Sequence, residues 1–268
     1  MVEIFHYEFM RNAVLAAVFA SIACGVIGSY VVVKKLVSIS GGIAHAAFGG
    51  VGLGYLFGIN PIWTIFPFTL FSSWLLGFVS QKQGISEDSA IGMLWSIGMA
   101  IGILCIGLTP GYMPDLFSYL FGNILTVTFA DVSLMACLDI FIIGIVFLYY
   151  KKFLALSFDK EFAEISGINT NFLYALLLSL VAFTIVILIK IVGIILVIAL
   201  LAMPASIAKQ FSKKFSSMMI WSVVLGLFFT LSGLFISYVF NLASGATIIL
   251  FAGFVFLVFM GIRKLLRK

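Results

Sequence analysis

The chain has 268 residues, 63% of them hydrophobic and 9% charged, with a formal net charge of +5 and a mean hydropathy of +1.27. Soluble domains average about 25% charged residues, so a soluble enzyme or binding module is excluded and an integral membrane protein is implied. The apolar runs are too long for strands, so the fold class is an all-α polytopic helical bundle, and the positive charge sets orientation rather than marking nucleic-acid binding. No polar segment leaves room for a separate soluble domain, so residues 1–268 are read as a single transmembrane unit. Cys24, Cys105 and Cys137 lie within apolar spans without metal-site spacing and read as small core residues. No basic region followed by a cleavage site opens the chain, so no removed signal peptide is expected.

Residues 1–11 carry Glu3, His6, Glu8 and Arg11 among aromatics and read as an interfacial segment, with His6 a surface histidine. The first span runs from about Asn12 to Val33 and stops at Lys34-Lys35. The second, Val37 to Gly58, holds His45, the only histidine inside a long apolar run. Gly42, Ala46, Gly50, Gly54 and Gly58 recur four apart and form one stripe on a helix, which lets a neighbouring backbone approach closely. Gly41, His45 and Gly49 form a second row that sets an imidazole between two positions without side chains. Two readings stand: a packing histidine bonded to a neighbouring helix, or a polar group facing a pathway lined by Gly41 and Gly49.

A turn at Gly58-Ile-Asn-Pro61 leads to a third span ending near Ser80, then the polar loop Gln81–Ser89 and a fourth span, Ala90–Leu108. After a Pro/Gly loop comes Leu116–Val127, too short to cross a core about 30 Å thick, and read as a re-entrant half-helix broken near Gly122-Asn123. Asp131–Tyr150 crosses again and ends at Lys151-Lys152. Within the following polar stretch, residues 157–167 are expected to form an amphipathic helix of about three turns outside the bilayer. Ser157 or Asp159 caps it, Glu161 lies in its first turn, Phe158, Phe162 and Ile165 share a face, and Gly167 ends it. Phe172–Ile189 follows, interrupted by Lys190, then Ile191–Ala208 with a kink at Pro204. The last spans are Phe215–Val239 and Ala246–Ile262, and a basic tail closes the sequence.

Placing the lysine clusters on the cytoplasmic side gives about eight or nine crossings, with Arg11 and Lys190 as exceptions. The 157–167 helix is then cytoplasmic, and His45 lies roughly 15 Å along its helix from Lys35, near the bilayer midplane. Lys190 either snorkels to the outer interface or faces the pathway, where it would repel cations. No G-x-x-x-x-G-K-[ST], H-E-x-x-H or G-x-S-x-G occurs, so the chain has no P-loop and no familiar hydrolase site. Only Asp139 among the acids sits deep inside a span, which argues against a proton-coupled carrier. These absences point to a conduit driven from outside the chain.

The stretch KKLVSISGGIAHAAFGGVGLG (Lys34–Gly54) resembles the glycine-rich helix of the zinc/manganese-type ABC transporter permeases. Similarity continues through Ser86–Leu104, Asp115–Leu125, Phe158–Ile168 and Ile191–Phe211, and so covers most of the chain. The resemblance implies a cell-membrane homodimer of permeases, separate cytoplasmic ATPase subunits, and an extracellular metal-binding protein. The cargo would be a divalent metal, zinc or manganese and possibly iron, with no permanently bound cofactor and no enzymatic activity in this chain. Residues 157–167 would be the coupling helix, engaging the ATPase through Asp159, Glu161, Phe162, Glu164, Ile165 and Gly167. Many members carry an aspartate where this chain has Gly41, and an acid where it has Asn123. His45 and Asn123 are the remaining metal candidates, with Asp115 near an outer loop as an entry ligand or a helix cap. The competing functions are an ABC permease for another small solute and an intramembrane enzyme using His45.

Overall fold

The computed structural model describes residues 7–80, 86–110 and 116–266. His6, Lys82 and Asp115 lie outside the described residues. The order is α1 (Glu8–Val33), α2 (Val37–Phe57), α3 (Ile62–Ser80), α4 (Glu87–Gly107), α5 (Leu116–Phe121), a 3-10 turn (Ile124–Thr126), α6 (Phe129–Phe158), α7 (Lys160–Ile165), α8 (Thr170–Ala208), α9 (Phe215–Phe240) and α10 (Ser244–Leu266). No strand occurs among the described residues. Among the described residues, eight helices are long and apolar enough to cross a membrane, and Val197–Ala208 is a shorter apolar helix beyond them.

The starts and stops follow local chemistry. Ser86 caps α4, its hydroxyl accepting from the Ser89 N–H, with Glu87 and Asp88 in the positive first turn. Thr128 and Asp131 form a reciprocal capping box at the start of α6. Gly58 ends α2 at φ +66, a left-handed conformation that costs other residues about 1–2 kcal/mol.

Two boundaries differ from the sequence reading. The long apolar run after Thr170 does not break at Lys190 or Pro204; its non-helical residue is Gly193, at φ +76 and ψ 167. Lys190 stays helical, lysine being a good helix former, and its side chain finds a counter-charge, described below. Likewise α6 does not stop at Lys151-Lys152 but continues to Phe158, since exposed lysines are good helix formers outside the bilayer.

Helices α1, α2 and the first limb of α8 lie at the centre, and α4, α9 and α10 cover them with one face turned outward. The outward residues are large and apolar, such as Phe147, Leu148, Leu250 and Leu257, as contact with lipid requires. Small residues bring the inner helices together. Gly28 of α1 sits on the Leu201 carbonyl of α8, and Gly25 on the Val223 backbone of α9. Between α1 and α9, Ser21 Oγ meets Thr230 Oγ1 at 3.1 Å and Ser29 Oγ donates to Ser222 Oγ at 3.3 Å. Such hydroxyl pairs join helices where hydrophobic burial gives no preference over lipid.

Candidate functional site

His45 occupies the middle of α2 and is buried. Its ring lies flat on the indole of Trp95 in α4, with centroids 3.8 Å apart and planes 8° from parallel. The stack fixes the plane of the imidazole and leaves its edge free; Nδ1 has no hydrogen-bond partner. An imidazole held this way, when its proton is on the other ring nitrogen, presents a lone pair suited to manganese, zinc or iron-type ions.

The small-residue row places α2 against its neighbours. A Cβ on Gly42 would strike Ile91 of α4, one on Gly50 would strike the Ile65 backbone of α3, and one on Gly54 would strike Pro61. Ala46 faces Gly98 of α4 backbone to backbone, and Gly52 faces Gly102 in the same way. Beside His45, the space at Gly41 is taken by the Ile198 side chain of α8, and that at Gly49 by Phe68 of α3.

The half-helix is broken where the sequence suggested. Helix α5 ends at Phe121, Gly122 turns left-handed at φ +70, and Asn123 begins the 3-10 turn. Gly122 lies against Gly193, the break in α8, so closely that a Cβ on either would collide with the other's backbone nitrogen. Gly245 at the start of α10 is the third member, packed on the Phe121 carbonyl. The exposed backbone is satisfied across this junction: the Asn123 N–H donates to the Lys190 carbonyl at 3.4 Å, and the Ile124 N–H to Ser244 Oγ at 3.1 Å. Asn123 Oδ1 accepts from the Leu125 N–H at 3.1 Å and serves as a local cap.

Lys190 does not stand alone. Its ammonium lies 3.6 Å from Asp131 Oδ1 and 5.7 Å from the centroid of Tyr119. The other oxygen of Asp131 accepts from the Thr128 N–H and hydroxyl, so one carboxylate caps α6 and neutralises the lysine. The local cost of cation repulsion is thereby removed.

His45 and Asn123 sit in different surroundings. Helix α2 packs on α3, α4 and α8, whereas the turn after Asn123 packs on α1, α8 and α10. The half-helix meets α2 through Tyr119 and Tyr55, whose ring centroids are 6.2 Å apart, and Tyr55 is about 15 Å along the helix from His45. Among the described residues, no three His, Cys, Asp or Glu side chains converge. Asp139 is buried in α6 with neither carboxylate oxygen hydrogen-bonded.

At the lysine-rich end, α7 is shorter than the expected 157–167 helix. Residues 157 and 158 complete α6, and Asp159 breaks the chain in an extended conformation (φ −149, ψ 98) before capping α7 through the Phe162 N–H. Gly167, at φ +76, closes it, with the Ile168 N–H bonding back to the Ala163 carbonyl at 3.0 Å. Glu164 accepts from the Thr170 hydroxyl at 2.8 Å and lies 3.6 Å from Lys160, tying α7 to α8. Glu161 is exposed, and Phe158, Phe162 and Ile165 point outward, Ile165 at 87% exposure. Lys34, at the end of α1, is held below the ordinary lysine range by burial and then by the nearby Lys160 charge.

Sequence reasoning missed Trp95, Gly193 and Gly245. A tryptophan among apolar residues gives no sign that it will stack on a histidine.

The ABC 3 transport family matches the chain over residues 6–263. A probable metal transport system membrane protein of Chlamydia trachomatis is 41% identical over 247 residues, covering 90% of this chain and 84% of that protein. The manganese transport system membrane protein MntC of Listeria monocytogenes is 36% identical over 252 residues, covering 94% and 90%. Among solved structures, PsaBC from Streptococcus pneumoniae in complex with Fab matches with a TM-score of 0.87 and 31% identity, covering 97% of this chain and 95% of that one.

Proposed function

We propose that this chain, which belongs to the ABC 3 transport family, carries manganese or zinc along a path that passes His45. It is the membrane-spanning permease subunit of a metal ABC importer, a multi-pass protein of the plasma membrane, and not itself an enzyme. The manganese systems among its relatives favour manganese as the cargo. The reading rests chiefly on the His45 ring: buried at mid-helix, clamped flat on Trp95, with Nδ1 unpartnered. An unpartnered buried nitrogen costs stability in a merely structural role, and one imidazole among neutral groups binds a metal weakly enough to release it.

The remaining roles are ordered around that ring. Asn123 offers a carbonyl oxygen nearer the outer entrance, and Asp115, outside the described residues, is the candidate entry ligand. Gly41 and Gly49 flank the path, which Ile198 and Phe68 obstruct in this conformation, so conduction requires those side chains to withdraw. Two copies of the chain enclose the path, and an extracellular metal-binding protein delivers the ion. A separate ATPase seats on α7, contacting Phe162 and Ile165, while Asp159, Glu161, Glu164 and Gly167 hold its shape. ATP-driven closure would then swing the permeases as rigid bodies between outward and inward access.

The test is ATP-dependent uptake in proteoliposomes holding the permease with its ATPase and binding protein, offering manganese, zinc and iron separately. Wild type is expected to take up manganese, and His45→Ala to lose at least about tenfold in uptake at limiting metal. Full uptake by His45→Ala would make the histidine a packing residue and end this reading.

A further inference from the structure

Where the ends of α1, α6 and α8 meet the start of α9, a cavity of about 420 Å³ is lined by Lys209, Lys213 and Lys214 together with Ser157 and Ser212. A second cavity, of about 450 Å³, shares Lys209 and adds Gln210 and Arg263. Among the described residues, no acidic side chain lines either one. Among the described residues the ion pairs are Lys160–Glu164 and Lys190–Asp131, so these three lysines have no counter-charge. Ser157 Oγ and Ser212 Oγ are buried and make no hydrogen bond. The N-terminus of α9 opens here as well: Lys214 is its N-cap and supplies no side-chain acceptor, which leaves first-turn N–H groups and the positive end of the helix uncovered.

Four cations, two idle hydroxyls and an uncapped helix start all ask for the same thing. We infer that this crevice binds a phosphate-bearing anion. Lysines neutralise its charge, the serine hydroxyls donate to its oxygens, and α9 adds N–H donors. The crevice lies at the ends of the spans, level with the cytoplasmic headgroups if the lysine clusters face inward, and Phe215 and Met218 give it an apolar wall. A phosphodiester of an anionic inner-leaflet lipid meets both surfaces, and free phosphate meets the polar one. Bound there, the anion would fasten four helix ends beside α7.

The test uses the full-length permease in dodecyl maltoside, titrated separately with phosphatidylglycerol, phosphatidylcholine and inorganic phosphate, and followed by native mass spectrometry and unfolding midpoint. Saturable binding of phosphatidylglycerol or phosphate, but not phosphatidylcholine, is expected. Substituting Lys209→Gln, Lys213→Gln and Lys214→Gln together should weaken it about a hundredfold, roughly fivefold per lysine. Ser157→Ala with Ser212→Ala should weaken it about tenfold without changing charge. A control at the same end but outside the crevice, Lys151→Gln, Lys152→Gln and Lys264→Gln, should stay within about twofold. Tighter binding of phosphatidylglycerol identifies a lipid, and tighter binding of phosphate a soluble ligand; either supports the site. Binding of neither, or equal loss in the control, overturns it. So does loss of the ATPase subunit by the crevice variant with anion affinity unchanged, which would make this face a protein contact.

Discussion

At one end of the bundle, Gly122, Gly193 and Gly245 meet backbone to backbone, and no side chain fits between them. At the other, α7 projects Phe162 and Ile165 into the open beside a crevice edged with lysine and with Phe158 at the end of α6. Both ends use a positive-φ glycine, Gly193 and Gly167, each at φ +76. Around Gly193 the neighbours are main-chain atoms of another helix; around Gly167 there is nothing within 4 Å. The first end is shaped from within, by close approach of chain to chain. The second keeps its shape through caps and leaves its apolar surface for something else to cover.

The two glycines separate backbone conformation from packing. Gly193→Ala adds the cost of a positive-φ, extended backbone that essentially only glycine adopts, about 1–3 kcal/mol, to a collision that only backbone movement can relieve, about 1–3 kcal/mol more. Its unfolding midpoint should fall steeply, and folded yield by gel filtration with it. Gly167→Ala carries a positive-φ cost without the collision, so a loss of about 1 kcal/mol is expected. Equal losses would mean that the packed junction contributes nothing beyond its φ angles.

The next largest effect tests whether charge as well as backbone holds the junction. Lys190→Met leaves Asp131 with its capping bonds but without its cation, at a cost of about 2 kcal/mol, since the pair is partly buried. Asp131→Asn should cost at least as much, because it also weakens the α6 cap. A double-mutant cycle in thermal unfolding gives the coupling. A cycle that closes to zero would mark the 3.6 Å contact as incidental.

How far the sequence carried depended on the kind of signal. Helices of period 3.6 and uninterrupted apolarity were legible, as were the break at Gly122-Asn123 and the stop at Gly167, because these rest on local chemistry. The kink at Gly193 was not. One glycine inside a run of isoleucine, leucine and valine looks like any membrane-helix glycine, and its role depends on Gly122, far away in sequence. Lys190 misled for the same reason: a lone charge in a span suggests an interruption until its distant partner Asp131 is seen. The extent of α7 was overestimated because an amphipathic pattern runs unbroken from Phe158 to Ile165, although Asp159 turns the chain between two helices. His45 was found by its isolation in an apolar run, and the Trp95 stack only in three dimensions.

The smallest expected effect on the fold is at Ile165. At 87% exposure its side chain touches almost nothing, so Ile165→Ser should move the unfolding midpoint by no more than about 0.5 kcal/mol equivalent. Phe162→Ser, at 60% exposure, should behave similarly. If α7 is the ATPase seat, both should nevertheless weaken co-purification of the ATPase, because an apolar side chain that fills a pocket on a partner can carry much of the binding energy while doing nothing for its own chain. Transport in proteoliposomes would fall with the ATPase and recover at high ATPase concentration, as it would not in His45→Ala. The two substitutions therefore separate the end that receives work from the site that handles the ion: one defect is titrated away by partner, the other is not. Full ATPase retention in both serine variants would move the seat off α7 and leave its exposed face to the membrane surface.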